Sequence, residues 1–194
     1  MKVQTNRASK AILLLISAAL AAQQEPAPSA SALAGLKSLP HGFYYQSAQE
    51  WKKLDTSSYA GYSSKHGASM LAGVAPSGVL VYDGPEAVNQ FENRQPVFGI
   101  RVDAFRPDIP GLNVRDLLIA HMAKKKDHRE LQVMKGGFAT VRTGINSKDS
   151  VEVTLSNVAD QTFILVPKNN LAPGEYLITF RGANGTSGYD FGVK

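Results

Sequence analysis

The sequence predicts a mainly β protein, an antiparallel β-sandwich carrying one or two short helices behind a signal peptide and a flexible linker. Three observations lead there. From Gly42 onward, short runs of Val, Ile, Phe, Tyr and Thr alternate with clusters of Gly, Pro, Asn, Asp and Ser, the texture of strands joined by turns. Near the C-terminal end, Val151, Val153 and Leu155 alternate with Glu152, Thr154 and Ser156, so one face packs and the other stays wet. About 155 residues lie beyond position 40, enough for one ordinary core and short of two. A hydrophobic fraction of 43% is that of a folding chain rather than a disordered one.

The N-terminal elements come first. Lys2, Arg7 and Lys10 precede an apolar run from Ala11 to Ala21, closed by the small residues Ala21 and Ala22 before Gln23-Gln24-Glu25. This is the three-part layout of a cleaved secretory leader, residues 1–22, and it implies export to a periplasm, cell surface or exterior. The run of 11 residues is well short of the roughly 20 that span a bilayer. No later stretch is long and apolar enough, so no membrane span is expected after cleavage. The chain contains no Cys, which excludes disulfides, Cys-based metal sites and acylation on an N-terminal Cys. An exported domain of this size without a disulfide fits a bacterial envelope better than a eukaryotic secretory route. Residues 23–40 carry Pro26, Pro28 and Pro40 among many Ala and Ser, and read as a disordered linker with room for a short helix at 31–37. A single domain, 41–194, follows.

Within it, strands are expected at 42–46, 51–54, 63–71, 78–82, 96–102, 116–122, 130–134, 150–156, 161–166, 175–181 and 189–193. Tyr176, Ile178 and Phe180 alternate with Leu177, Thr179 and Arg181, and Tyr189, Phe191 and Val193 with Asp190 and Gly192. Pro173-Gly174 marks a turn before them, Pro presetting φ and Gly supplying the positive φ of a type II turn. The glycine-rich segment 182–188 reads as the loop of a final hairpin. Short helices at 48–54 and 85–91 are competing readings. Residues 113–122 suit either a helix of two to three turns or a buried strand. We favour a β-hairpin with 131–134, turning at Lys124-Lys125-Lys126-Asp127-His128.

Chemistry is sparse. The net charge of +5 falls to +2 once the three basic residues of the leader are removed, which leaves 18 basic against 16 acidic residues. That excludes the dense basic face of a nucleic-acid binder. Lys124, Lys125, Lys126 and Arg129 form the densest charge and are the candidate surface contact for anionic lipid, polysaccharide or phosphate. The bland alternative is a solvated hairpin tip whose charges keep neighbouring strands from pairing with other molecules. No aromatic interleaves with these lysines to stack a base. His41, His66, His121 and His128 lack metal-ligand spacing, and no metal or cofactor is expected. Residues 67–71 begin a nucleophile-elbow pattern at Ser69 but lack its closing Gly. No Lys-Ser or Lys-Thr follows the glycines of 182–188, so they form no phosphate-cradling loop. Asp103, Asp108, Asp116, Glu130 and Asp190 are the scattered pool from which a glycosidase-like carboxylate pair would come. Phe43, Tyr44, Tyr45, Trp51, Tyr59 and Tyr62 could stack on sugar rings, although filling one end of the core is the favoured role for Phe43, Tyr45 and Trp51.

The stretch 161–180, with Phe163 to Pro167 and Leu171-Ala172-Pro173-Gly174-Glu175-Tyr176, followed by Tyr189-Asp190-Phe191-Gly192-Val193, resembles a C-terminal strand-turn-strand unit of uncharacterised secreted bacterial proteins with immunoglobulin-like sandwiches. Gly42-Phe43-Tyr44-Tyr45, the segment 82–87 and the segment 127–131 resemble other parts of such proteins. The resemblance implies a fold and no catalytic residues. It also implies that the Tyr176 hydroxyl bonds back to nearby backbone, as in a tyrosine corner.

The expected function is an exported, non-enzymatic interaction or structural module of the bacterial envelope that binds protein or glycan. The alternatives are an envelope-polymer hydrolase using a carboxylate pair, and an assembly subunit completed by donated strands.

Overall fold

The computed structural model of the chain describes residues 30–57, 59–65, 77–102, 113–136, 141–180 and 188–194. The leader, residues 23–29, His66, Ser69, Asp103, Asp108 and most of the glycine-rich loop lie outside the described residues. Helix α1 (Ala30–Lys37) leads into β1 (Gly42–Ser47), β2 (Glu50–Lys53), β3 (Tyr59–Lys65), β4 (Ser77–Asp83), β5 (Gln90–Phe91) and β6 (Phe98–Arg101). A single 3₁₀ turn, Val114–Asp116, opens β7 (Leu117–Lys124). There follow β8 (His128–Gly136), β9 (Val141–Thr143), β10 (Ser150–Val151), β11 (Val153–Ala159), β12 (Thr162–Pro167), β13 (Gly174–Phe180) and β14 (Tyr189–Val193). They form a five-stranded sheet in the order β11-β12-β6-β1-β2. A nine-stranded sheet runs β3-β4-β8-β7-β13-β14-β5, with β9 on β8 and β10 on β7. Among the described residues, only the two-residue β5 pairs in parallel, on β14. The molecule is a mainly antiparallel β-sandwich with one short helix.

Cross-strand register sets which side chains meet. In the five-stranded sheet Phe43 lies opposite Ile100, itself opposite Phe163, and Tyr45 opposite Phe98, itself opposite Leu165. These side chains share one face. They pack on Leu117, Ile119, Tyr176, Ile178, Phe191 and Val193 of the other sheet to form the main core. Each large side chain fully buried there contributes about 1.5–3 kcal/mol. Rings crowd its centre: Phe98 lies 4.9 Å from Phe191, which stacks on Tyr176 at 5.4 Å.

The strands β7, β13 and β14 bury residues on both faces. Their second face carries Leu118, Ala120, Met122 and Leu177, which join Leu80, Tyr82 and Leu131 in a second cluster. This is why residues 117–122 show no alternation: a strand covered on both sides reads as a continuous apolar run. The β-hairpin expected there is present. Its arms pair only through Ala123↔Glu130 and Lys124↔Arg129. Further along the same edge of β7, β10 takes over through Ser150↔Ala120 and Val151↔Ile119.

The outer face of the five-stranded sheet holds a third cluster, Leu36, Tyr44 and Ile164, covered by α1. The short helix for which the linker reading left room at 31–37 is present as α1. Residues 30–39 belong to the folded domain, because Ala32 and Leu36, one helical turn apart, are buried and Leu33 and Leu39 pack beside them. The competing helices are absent. Ser47 pairs with Glu50 across a two-residue turn at Ala48 (φ 56°), so residues 48–54 form a hairpin arm instead. Residues 85–91 form an irregular loop ending in β5. Strand β3 starts at Tyr59, earlier than expected, and β9 joins the expected set. Val151, Val153 and Leu155 are half-buried while Glu152, Thr154 and Ser156 are exposed, as their alternation requires.

Two tyrosine hydroxyls, one in the main core and one on the outer face, bond back to the chain by the same device. The Tyr176 hydroxyl donates to the Ala172 carbonyl at 2.7 Å, and that of Tyr44 to the Pro40 carbonyl at 2.9 Å, each reaching four residues back. Tyr176→Phe should lower stability by about 1 kcal/mol, the net worth of one such bond. Phe98→Ala should lower it by about 3–5 kcal/mol through the cavity left behind. Urea unfolding of both variants checks the ratio, and similar losses would contradict this placement of the core.

Candidate functional site

The β7–β8 hairpin tip brings three lysines to the surface. Lys124 ends β7, and Lys125, Lys126 and Asp127 form the exposed turn, closed by the Lys125 N–H donating to the His128 carbonyl at 2.8 Å. The lysines do not form a bare basic patch. Lys124 pairs with Glu86 at 2.6 Å, and Lys125 with Glu130 at 3.3 Å. His128 sits between Asp127, at 2.7 Å from its Nδ1, and Glu130, at 3.1 Å from its Nε2. Two of the three lysines thus pair with carboxylates, and the third carboxylate of the tip, Asp127, is held by His128.

Titration follows these contacts. Hydrogen bonds with Glu130 and Asp127 push His128 above its ordinary value of 6.5. Its partner Asp127 is held below the usual carboxylate range by the same contact. Glu86 is lowered by its bond from Lys124. Partial loss of hydration pushes Glu130 up, but His128 and Lys125 together hold it below its ordinary value.

Arg129 departs from the expected surface contact: its side chain is only 2% exposed. The pleat explains this. Arg129 is in phase with Leu131, so it turns onto the face of the second cluster while His128 and Glu130 turn away. Its Nη1 donates to the Asp190 carboxylate, with Glu175 at 3.8 Å. Nε donates to the Gly84 carbonyl at 3.1 Å and Nη2 to the Asp83 carbonyl at 2.7 Å. Glu175 in turn accepts from the Ala87 N–H at 2.7 Å and from Gln90 Nε2 at 3.2 Å. Burial, then the Asp190 charge, pushes the neighbouring Tyr82 hydroxyl far up.

This network ties the loop 84–89 to β8, β13 and β14, and Lys124–Glu86 ties the same loop to the hairpin tip. Glu175 is not among the candidates that the sequence singles out, since nothing near it in the chain marks it as a partner of Arg129. The available signal was phase: Glu175 aligns with Leu177, and Arg129 with Leu131. Two buried carboxylates held by one guanidinium and by amide donors act as a clamp, because their oxygens already have partners and solvent is shut out.

Other candidates disperse. Asp116 is half-buried at the start of β7, and Glu130 is engaged by Lys125 and His128. His41 and His121 are exposed, with the His121 ring edge-on to Tyr176 at 5.3 Å. Among the described residues, no group of three or more His, Asp or Glu is placed to hold a metal ion. Phe43 stacks on Tyr189 at 4.1 Å, Tyr45 packs on Phe91 at 5.0 Å, and Trp51 donates to the Ala32 carbonyl at 2.7 Å, so these rings serve packing. Tyr62 is 49% exposed and lies over Gly78, whose missing side chain leaves room for its ring. No described helix is long and apolar enough to cross a membrane. Comparison with protein-family models, with curated proteins and with solved structures finds no match.

Arg129→Met should cost about 3–5 kcal/mol, because it leaves Asp190 and Glu175 buried without their cation. Adding Asp190→Asn and Glu175→Gln should recover part of that loss. Urea midpoints of the single and triple variants test the coupling, and an additive further loss would contradict it. The His128 contacts stabilise its protonated form. Their contribution is therefore fully present below the unfolded value near 6.5 and fades as pH rises through the raised folded value. An NMR titration of the His128 ring should show a midpoint above 6.5 that moves down in Glu130→Gln. A midpoint unmoved by that substitution would refute the assignment.

Proposed function

We propose that the chain is an exported, non-enzymatic interaction module of the bacterial cell envelope, and that it binds a protein through the loop end built from residues 84–89 and 125–127. The observation that carries this reading is the buried Arg129 clamp, which fixes loop 84–89 at one end of the nine-stranded sheet, with the Lys124–Glu86 pair joining the hairpin tip to it. Binding surfaces are commonly loops held on a rigid scaffold, because preorganisation lowers the entropy lost on association. The end presents Val88, 87% exposed, beside the Lys124–Glu86 pair and the exposed Lys126 and Asp127. A surface with an apolar point and balanced charge suits a protein partner better than a polyanionic glycan, which calls for an excess of cations. Export rests on the leader, residues 1–22.

Affinity capture from an envelope extract tests the reading, with a double variant Val88→Asp and Lys126→Glu as control. The variant should keep its unfolding midpoint within the effect of about 0.5 kcal/mol usual for surface changes, and lose the captured protein. Capture unchanged in the variant would move the contact elsewhere. A glycan array run alongside reports the other partner class, and blanks in both would end the interaction reading.

A further inference from the structure

The sheet edges differ in how they are protected. The five-stranded sheet ends in β2 on one side and β11 on the other, and the nine-stranded sheet ends in β3 and β5. An open edge invites pairing with another chain, and charge, bulges, shortness or a covering element prevent it. Strand β2 has four residues, carries Lys52 and Lys53, and is tied to α1 by the Trp51 bond to the Ala32 carbonyl. Strand β5 has two residues, and a bulge between Tyr59 and Gly61 breaks the ladder of β3. Strand β11 lacks such protection. Its seven residues, Val153–Ala159, include no charge and no proline, and its register shifts only past Asn157. Among the described residues, no strand lies on its outer side.

The ladder fixes which groups face outward. The Lys168 N–H donates to the Glu152 carbonyl at 2.9 Å, so Glu152, Thr154 and Ser156 turn their backbone groups toward β12. Val153, Leu155 and Asn157 turn theirs away from it. The side chains of Val153 and Leu155 pack at the margin of the main core and stay half-buried. Those of Thr154 and Ser156 are exposed on the opposite face.

We propose that β11 pairs antiparallel with β11 of a second copy about a two-fold axis at Leu155, joining the five-stranded sheets of the two copies into one. In that register Leu155 lies opposite the partner's Leu155, Val153 opposite the partner's Asn157, and Thr154 opposite the partner's Ser156. Each outward-facing residue then exchanges both backbone bonds with its counterpart. The two Leu155 side chains meet at the axis, and Thr154 with the partner's Ser156 is a favourable cross-strand pair on the wet face. Charge favours a second copy as the occupant. The edge is uncharged, and the axis sets Glu152 opposite the partner's Val158 and Asp160 opposite the partner's Ser150, so like charges do not oppose. Glu152 is already matched by Lys168 at 3.3 Å. Such an isologous contact uses the same patch on both copies and closes at two, because the other edge of the sheet is blunted. It involves none of residues 84–89 or 125–127 and stands whether or not the loop end binds a protein.

One strand pair is a small interface, so sedimentation equilibrium of the full chain should show the mass rising from one copy toward two between about 1 and 500 µM. Thr154→Lys with Ser156→Lys sets like charges opposite each other and should weaken association at least about tenfold. Thr154→Lys with Ser156→Glu sets opposite charges together on both sides of the axis and should keep association at native strength or above. These positions are exposed, so both double variants should unfold at the native urea midpoint. The chain has no Cys, which lets crosslinking report the register. On oxidation, a mixture of Thr154→Cys and Ser156→Cys chains should link at least about tenfold faster than either variant alone, because the axis brings 154 to 156 and not to itself. A single copy at every concentration, undiminished association of the folded Lys–Lys variant, a folded Lys–Glu variant that stays single, or a cysteine mixture no faster than its components would each overturn the pairing. Where the Lys–Lys variant does not fold, the Lys–Glu and cysteine variants decide.

Discussion

Strand β13 is covered on both faces, and most of the structure follows from that constraint. Tyr176 and Ile178 face the five-stranded sheet in the main core, while Leu177 on the opposite side joins Leu80, Tyr82 and Leu131. A strand sealed on both sides has no wet face on which to place polar residues. Glu175, Thr179 and, on the adjacent strand, Asp190 are therefore buried and must find partners. Arg129 provides one, arriving from β8 because the pleat puts it in phase with Leu131.

The resulting clamp is weak evidence for stability. Desolvating an ion pair offsets much of its attraction, and apolar replacements of the whole group are often as stable. Its effect is on specificity. The guanidinium ties the carbonyls of Asp83 and Gly84, and the Glu175 carboxylate ties the Ala87 N–H. A loop of six residues is thereby held in one conformation against the hairpin tip. The same sheet that closes the core thus orients the surface assigned to recognition.

The opposite side of the molecule follows a different logic. There the sheet face is apolar and regular, and its cover is a short helix attached by side chains rather than by backbone pairing. Gly99 admits Leu36, and Arg101 donates to the carbonyl of Lys37, the last residue of the helix, and to that of Leu39 beyond it. One end of the sandwich is therefore fastened by a buried ionic network, while the outer face of the other sheet is closed by a helix held through apolar contacts and hydrogen bonds from Trp51 and Arg101.

Much of the architecture was legible in the chain itself. Alternation at 150–156 placed the wet and dry faces of that strand correctly, whereas Gly174, expected to supply the positive φ of a type II turn, instead opens β13 as extended backbone with φ 159°. The hydroxyl of Tyr176 bonds back as the resemblance implied. Both depend on neighbours close in sequence, the one through the two-residue period and the other through a reach of four residues. The hairpin at 117–136 was legible with more difficulty, because burial on both faces erases the period. What only the tertiary structure decided is where charge and helix go. Arg129 was grouped with Lys124, Lys125 and Lys126 as surface charge, and residues 30–39 with the linker. Both placements turn on groups far away in the chain: Asp190 and Glu175 for the one, Gly99, Trp51 and Arg101 for the other. A local pattern states which residues share a face, but whether that face meets water or another sheet is set by the assembled layers.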